Sequence, residues 1–194
     1  MEITDARLTD NERELLARAI GGRLEKFRCE AYNAKIRAAA WGILGLFIDG
    51  RVIAIERQQK MLLWHGEMGE VAVTQVHEAA PEDIICRLIG SRTVDHPVWS
   101  VIRDILLYED SEYKFRDGVD LDRFDMTTAI VLQLDHTQLV LRFTPIMELI
   151  DIYRGPNTEN RIPRVDENDD EYREEFRVER TIVSLKDWAA EHGL

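Results

Sequence analysis

Hydrophobic and polar positions follow two different periods along the chain. From Thr9 the spacing is helical: Leu15, Leu16, Ala19, Ile20, Leu24 and Phe27 share one face, as in an amphipathic helix packed on a core. Thr9-x-x-Glu12 has the form of a capping box, in which the hydroxyl accepts from an unpaired amide and the carboxylate reaches back. Gly21-Gly22 interrupts the pattern, each glycine costing about 1 kcal/mol relative to alanine inside a helix. The pair therefore either breaks the helix in two or marks a close packing point.

From Trp41 the period changes. In WGILGLFIDGRVIAIER, Trp41 to Arg57, two apolar runs flank Asp49-Gly50, a dipeptide suited to a two-residue hairpin turn because both positions need positive φ. The first run is apolar on both faces, which predicts a strand covered on both sides, with the N-terminal helix as one cover. Met61 to His65 and Glu70 to His77 form a second pair around Gly66 to Gly69. After Pro81, Glu82 to Ile89 reads as a turn or two of helix with acids at its start, where the helix dipole favours them. Val98 to Tyr108 fits a strand by its β-branched content and a helix by the spacing of Trp99, Ile102 and Leu106.

The segment Ala129 to Phe143 repeats the first hairpin in kind, with a polar turn at Asp135 to Gln138. The two Asp-led turns suggest a duplicated β-module, although antiparallel hairpins in general share this pattern. Ser184-x-x-Asp187 caps a short terminal helix that Gly193 stops. These elements predict an α+β fold: mostly antiparallel β-sheet from two hairpin modules, an N-terminal amphipathic helix and a short C-terminal helix. They pack as one domain over 1–194, or as two β lobes, 1–80 and 97–194.

Composition narrows the class. The 194 residues, 45% hydrophobic and 32% charged, suit a globular chain long enough to bury a core without disulfides or metal. No apolar leader opens the sequence, and the longest apolar run, Ala38 to Ile48, is far short of the ~18 to 20 residues a spanning helix needs. Cys29 and Cys86 are the only cysteines. The expectation is a cytoplasmic protein in a reducing compartment, with no membrane association.

The net charge is −12, which disfavours nucleic acid as a partner. It is unevenly spread: Asp104 to Met126 holds eight acids against three bases, and Asp151 to Leu194 twelve against seven. By contrast, Arg13 to Arg37 holds seven bases against three acids. Such polarity suggests a docking face.

Motifs for chemistry are sparse. His65, His77, His96, His136 and His192 show no metal-ligand spacing with each other or with the cysteines, and no glycine-rich phosphate cradle occurs. No cofactor or metal is expected. Asp117, Asp120, Asp122 and Asp125 lie at carboxylate spacing on what reads as a polar loop, and Asp166, Glu167, Asp169, Asp170 and Glu171 form a second acidic run. Both lack the EF-hand frame, the second having Glu171 where glycine is required. Trp41, Trp64 and Trp99 read as core, and Trp188, amid Lys186, Asp187 and Glu191, as a contact residue.

The leading expectation is a non-catalytic interaction protein, of the inhibitor or immunity type, that binds a basic protein partner through these acids and Trp188. Two alternatives remain: a self-associating scaffold module forming a homo-oligomer, and an enzyme assembling carboxylates of 104–125 with His96 or His136.

Overall fold

A computed structural model describes residues 1–30, 37–64, 66–85, 87, 91–163 and 176–194. Of the described residues 67% lie in strands. The order is β1 (Glu2–Ala6), α1 (Asp10–Ala17), β2 (Arg23–Glu30), β3 (Arg37–Trp41), β4 (Ile43–Ile48), β5 (Arg51–Trp64) and β6 (Glu67–Glu78). It continues through β7 (Thr93–Arg116), β8 (Val119–Leu134), β9 (Gln138–Thr144), β10 (Met147–Gly155), β11 (Phe176–Ser184) and α2 (Leu185–His192).

The hairpin turn at Asp49-Gly50 forms as its residues dictate, with φ of 48° and 75°. The N-terminal helix is corrected: a strand precedes it and it ends at Ala17, so Leu24 and Phe27 belong to β2. The capping box is present, Thr9 Oγ1 accepting from Glu12 N–H and Glu12 from Thr9 N–H. Gly21 then takes φ +86° and its N–H donates to Ile102 O, so the glycines turn the chain into the sheet. The region 98–108 is strand throughout, and among the described residues of 81–89 the helical element is a single 3-10 turn, Pro81–Asp83. Cys86 and 88–90 lie outside the described residues.

Strand pairings close on themselves. β7 pairs β2 through its first half and β8 through its second, β2 pairs β4, and β4 runs back through Gly42 into β3. β3 pairs β10, which pairs β9, which returns to β8. The result is a six-stranded antiparallel barrel in which β3 and β4 act as one bent strand. Gly42 makes the bend, its φ of +81° being open to glycine at no steric cost. Its N–H donates to Glu148 O on β10 and its carbonyl accepts from Arg57 on β5, so one edge of the strand changes partner there.

Alternate residues fill the barrel, as expected when a small barrel is packed with side chains. Leu44, Leu46 and Ile48, Ile130, Leu132 and Leu134, and Leu139 and Leu141 belong to one buried cluster with Leu16 of α1 and Leu185 of α2. β4 is indeed covered on both faces. Its outer side, Ile43 and Phe47, packs under Ile84, a cover the sequence did not assign.

Two arms leave the barrel. β5 and β6 extend as a flap. The far halves of β7 and β8 form a second arm, widened by β11 pairing β7 and by β1 pairing β8 in parallel.

Candidate functional site

The second arm contains the acidic stretch read from sequence as a loop. It is a hairpin: Asp117 and Gly118 take φ of 51° and 76° between Arg116 and Val119 in register. This is the same Asp-Gly device as at residues 49–50. The flap is pinned against this arm by a small apolar cluster in which Leu62 and Trp64 pack on Val71, Phe124 and Met126. Trp64 lies 6.1 Å from the Phe124 ring and its indole N–H reaches Glu112 Oε2 at 3.4 Å. The flap tip therefore lies against the side of the second arm, where a Cβ added at Gly66 would stand 3.8 Å from Asp122 Oδ2.

The four aspartates separate on this hairpin. Asp117 is exposed at the turn, and Asp120 and Asp122 are half-exposed, Asp120 pairing with Arg177 at 3.3 Å. Asp125 is not a surface residue. Only 1% exposed, it is held by Arg123 at 2.6 Å and Arg7 at 3.4 Å. A strand places alternate residues on opposite faces, and this face is where distant arginines converge. Arg7 also forks onto Asp5, and that bond pulls the Asp5 carboxyl below its usual value. Asp166, Glu167, Asp169, Asp170 and Glu171 lie outside the described residues.

Trp188 stacks on His192 with ring centroids 4.2 Å apart and packs one side against the barrel core, so it is half-buried. The exposed tryptophan is Trp99, at 66%, held at φ +54° on a bulge where β2 and β7 slip register.

Around Asp117, Asp120 and Asp122 the structure adds residues that the sequence reading missed. Met68 at the flap tip and Val119 at the hairpin tip are 62% and 61% exposed, and Leu121 and Ile3 are exposed as well. Ile3 is in register with Arg123, one pleat from Leu121. Exposed Glu67 and Glu70 flank Met68. The alternation Val119-Asp120-Leu121-Asp122 was the available signal, hidden because the segment was read as a loop.

The carboxylates of 104–125 are engaged separately. Asp104 accepts from Ser184 Oγ at 2.8 Å and Lys186 N–H at 3.1 Å, capping α2. Asp110 binds Arg180 through two bonds of 2.6 Å. Glu109 meets Arg13 at 2.7 Å, and burial pushes its carboxyl above the usual value against that attraction. Neither histidine joins them. His136 sits exposed at the β8–β9 turn, and His96 stacks on Phe27 at 4.7 Å, where burial lowers its pKa.

Between the β1–α1 connection and the flap runs a cleft of ≈420 Å³, lined by Arg7, Thr9, Glu12, Lys60 and Gln75 among others. Glu12 is committed there, accepting from Val76 N–H at 2.9 Å as well as capping α1. Among the described residues no group of three His, Cys, Asp or Glu side chains converges to hold a metal ion, and no helix is long and apolar enough to cross a membrane.

Fold and site together describe a small, helix-capped antiparallel barrel with two projecting arms and an end where apolar and acidic side chains interleave. Compared with family models, with curated proteins and with solved structures, the chain matches none of them.

Proposed function

We propose that the protein is a non-catalytic interaction protein that docks a basic protein partner on the second arm, where the flap lies against it, as inhibitor or immunity proteins do. The supporting observation is the interleaving of exposed Met68, Val119 and Leu121 with Asp117, Asp120, Asp122 and Glu67. Apolar area at the centre of such a surface supplies affinity, while the surrounding carboxylates steer and select a cationic partner. The engagement of Asp104, Glu109, Asp110 and Asp125 by helix ends and arginines favours this reading over catalysis. A buried Cys29 in a chain with two cysteines fits a reducing, cytoplasmic setting.

Immobilised protein should retain a basic protein from source-cell lysate at low ionic strength and release it at high ionic strength. The same capture with Met68→Ser/Val119→Ser and with Asp117→Lys/Asp122→Lys should lose it. Identical retention by these variants, with folding intact by circular dichroism, sinks the proposal.

A further inference from the structure

Strand β5 carries into the interior a cation that no carboxylate of the described residues meets. Arg57 is 2% exposed and forms no ion pair among the described residues, whereas the well-buried Arg13 and Arg180 each meet an acid. Its Nη1 donates to Thr74 Oγ1 at 2.8 Å, and its Nη2 donates to the carbonyls of Thr144 and, at 3.3 Å, Met147. The Phe143 ring lies 5.2 Å from the guanidinium. These bonds use three of the five N–H groups an arginine offers.

The remainder is unanswered by protein. Arg57 Nε and Thr144 Oγ1 are both buried and neither has a hydrogen-bond partner. Both residues line a cavity of ≈10 Å³ walled by Ala72, Thr127, Phe143 and Pro145 among others, room for about one water-sized particle. Glu148 acts on the guanidinium through its charge, and its Oε1 accepts from Gln59 N–H at 3.3 Å. Desolvation therefore dominates and draws Arg57 down to about 10, leaving it ionised at neutral pH. A buried charge without a counter-charge is costly, and both residues that carry an unused polar atom line the same small space.

We propose that this cavity is a binding site for a single halide-sized inorganic anion, chloride under ordinary conditions, held by the Arg57 guanidinium and the Thr144 hydroxyl. The anion would neutralise the buried Arg57 cation and occupy donors that the fold leaves open. Acetate, phosphate and other polyatomic anions are too large for the space.

The test is unfolding of the full-length protein in sodium acetate, with chloride replacing acetate at constant ionic strength. Binding at one site multiplies the folded-to-unfolded ratio in proportion to chloride above its dissociation constant, so a log–log plot should reach a slope of one. Crystals soaked in bromide should show an anomalous peak within hydrogen-bonding distance of Arg57. Arg57→Met should abolish the chloride dependence. Should that variant fail to fold, Thr144→Val, which deletes one hydroxyl donor to a charge, should weaken chloride binding about tenfold or more. Equal stability in chloride and acetate, or an ordered water with no anomalous signal at the site, overturns the proposal.

Discussion

Gly45 lies in the middle of β4, where propensity alone favours replacing it, since glycine in a strand costs roughly 0.5–1 kcal/mol relative to alanine. The structure reverses that sign. A Cβ at Gly45 would stand 2.8 Å from Ile84 Cγ1 and 2.9 Å from Ile84 Cγ2, closer than atoms of two packed side chains approach. Ile84 is 2% exposed and is itself wedged against Ile43 and Phe47, so it cannot swing away freely. Overpacking of this kind costs about 1–3 kcal/mol, which outweighs the gain in propensity. Gly45→Ala should therefore destabilise by about 1–2 kcal/mol, lowering the melting temperature by about 2–8 °C at this chain length. Urea unfolding followed by tryptophan fluorescence reads this as a lower midpoint at unchanged slope. A cycle isolates the cause: Ile84→Ala alone should cost about 2–5 kcal/mol through its cavity. In the double variant the new methyl partly fills that space, so the two effects should fall short of additivity by about 1 kcal/mol or more. A more stable Gly45→Ala protein, or strict additivity, refutes the reasoning.

Two further perturbations probe charge inside and outside the fold. Asp110 and Arg180 form a two-bond pair with side chains 0% and 9% exposed, so Arg180→Ala should cost about 3–5 kcal/mol by stranding a carboxylate, while changing both residues to leucine should recover most of the loss in thermal melts. Asp95 is pulled from 3.8 to about 2 by its bond to Arg28, against burial, with Lys26 assisting. Its pKa being lowered on folding, its contribution is present above pH 3.8 and fades as pH falls toward 2. With the side chain 38% exposed, solvent screening holds that contribution below about 1 kcal/mol, and Asp95→Asn should narrow the stability difference between neutral and acid pH by that amount in denaturant titrations.

What the sequence disclosed and what it concealed divide by range. The turn at Asp49-Gly50 and the caps at Thr9 and Ser184 rest on residues a few positions apart, and each was readable. Asp117-Gly118 carries the same local signal, yet the carboxylates that follow at 120, 122 and 125 give the segment the charge spacing of a polar loop. The burial of Asp125 depends on Arg7, brought alongside by parallel pairing of β1 with β8, and no local pattern reports a partner that far along the chain. The exposure of Trp99 and the half-burial of Trp188 are illegible for a related reason. The bulge that exposes Trp99 arises from a register slip against β2, and the cover over Trp188 comes from the barrel it caps. Barrel closure was illegible because it rests on one glycine, Gly42, redirecting a strand between two partners.

That closure sets an order of assembly during synthesis. β3 emerges early but among the described residues pairs with the late strand β10, and β2 gains its second neighbour only when the first half of β7 has been made. Until then the nascent chain carries open strand edges beside the apolar run Ala38 to Ile48, the kind of surface that recruits other chains. A topology so dependent on distant pairings folds slowly. In the cell the protein's yield should accordingly be governed by how well chaperones shield its first half while the second is being made.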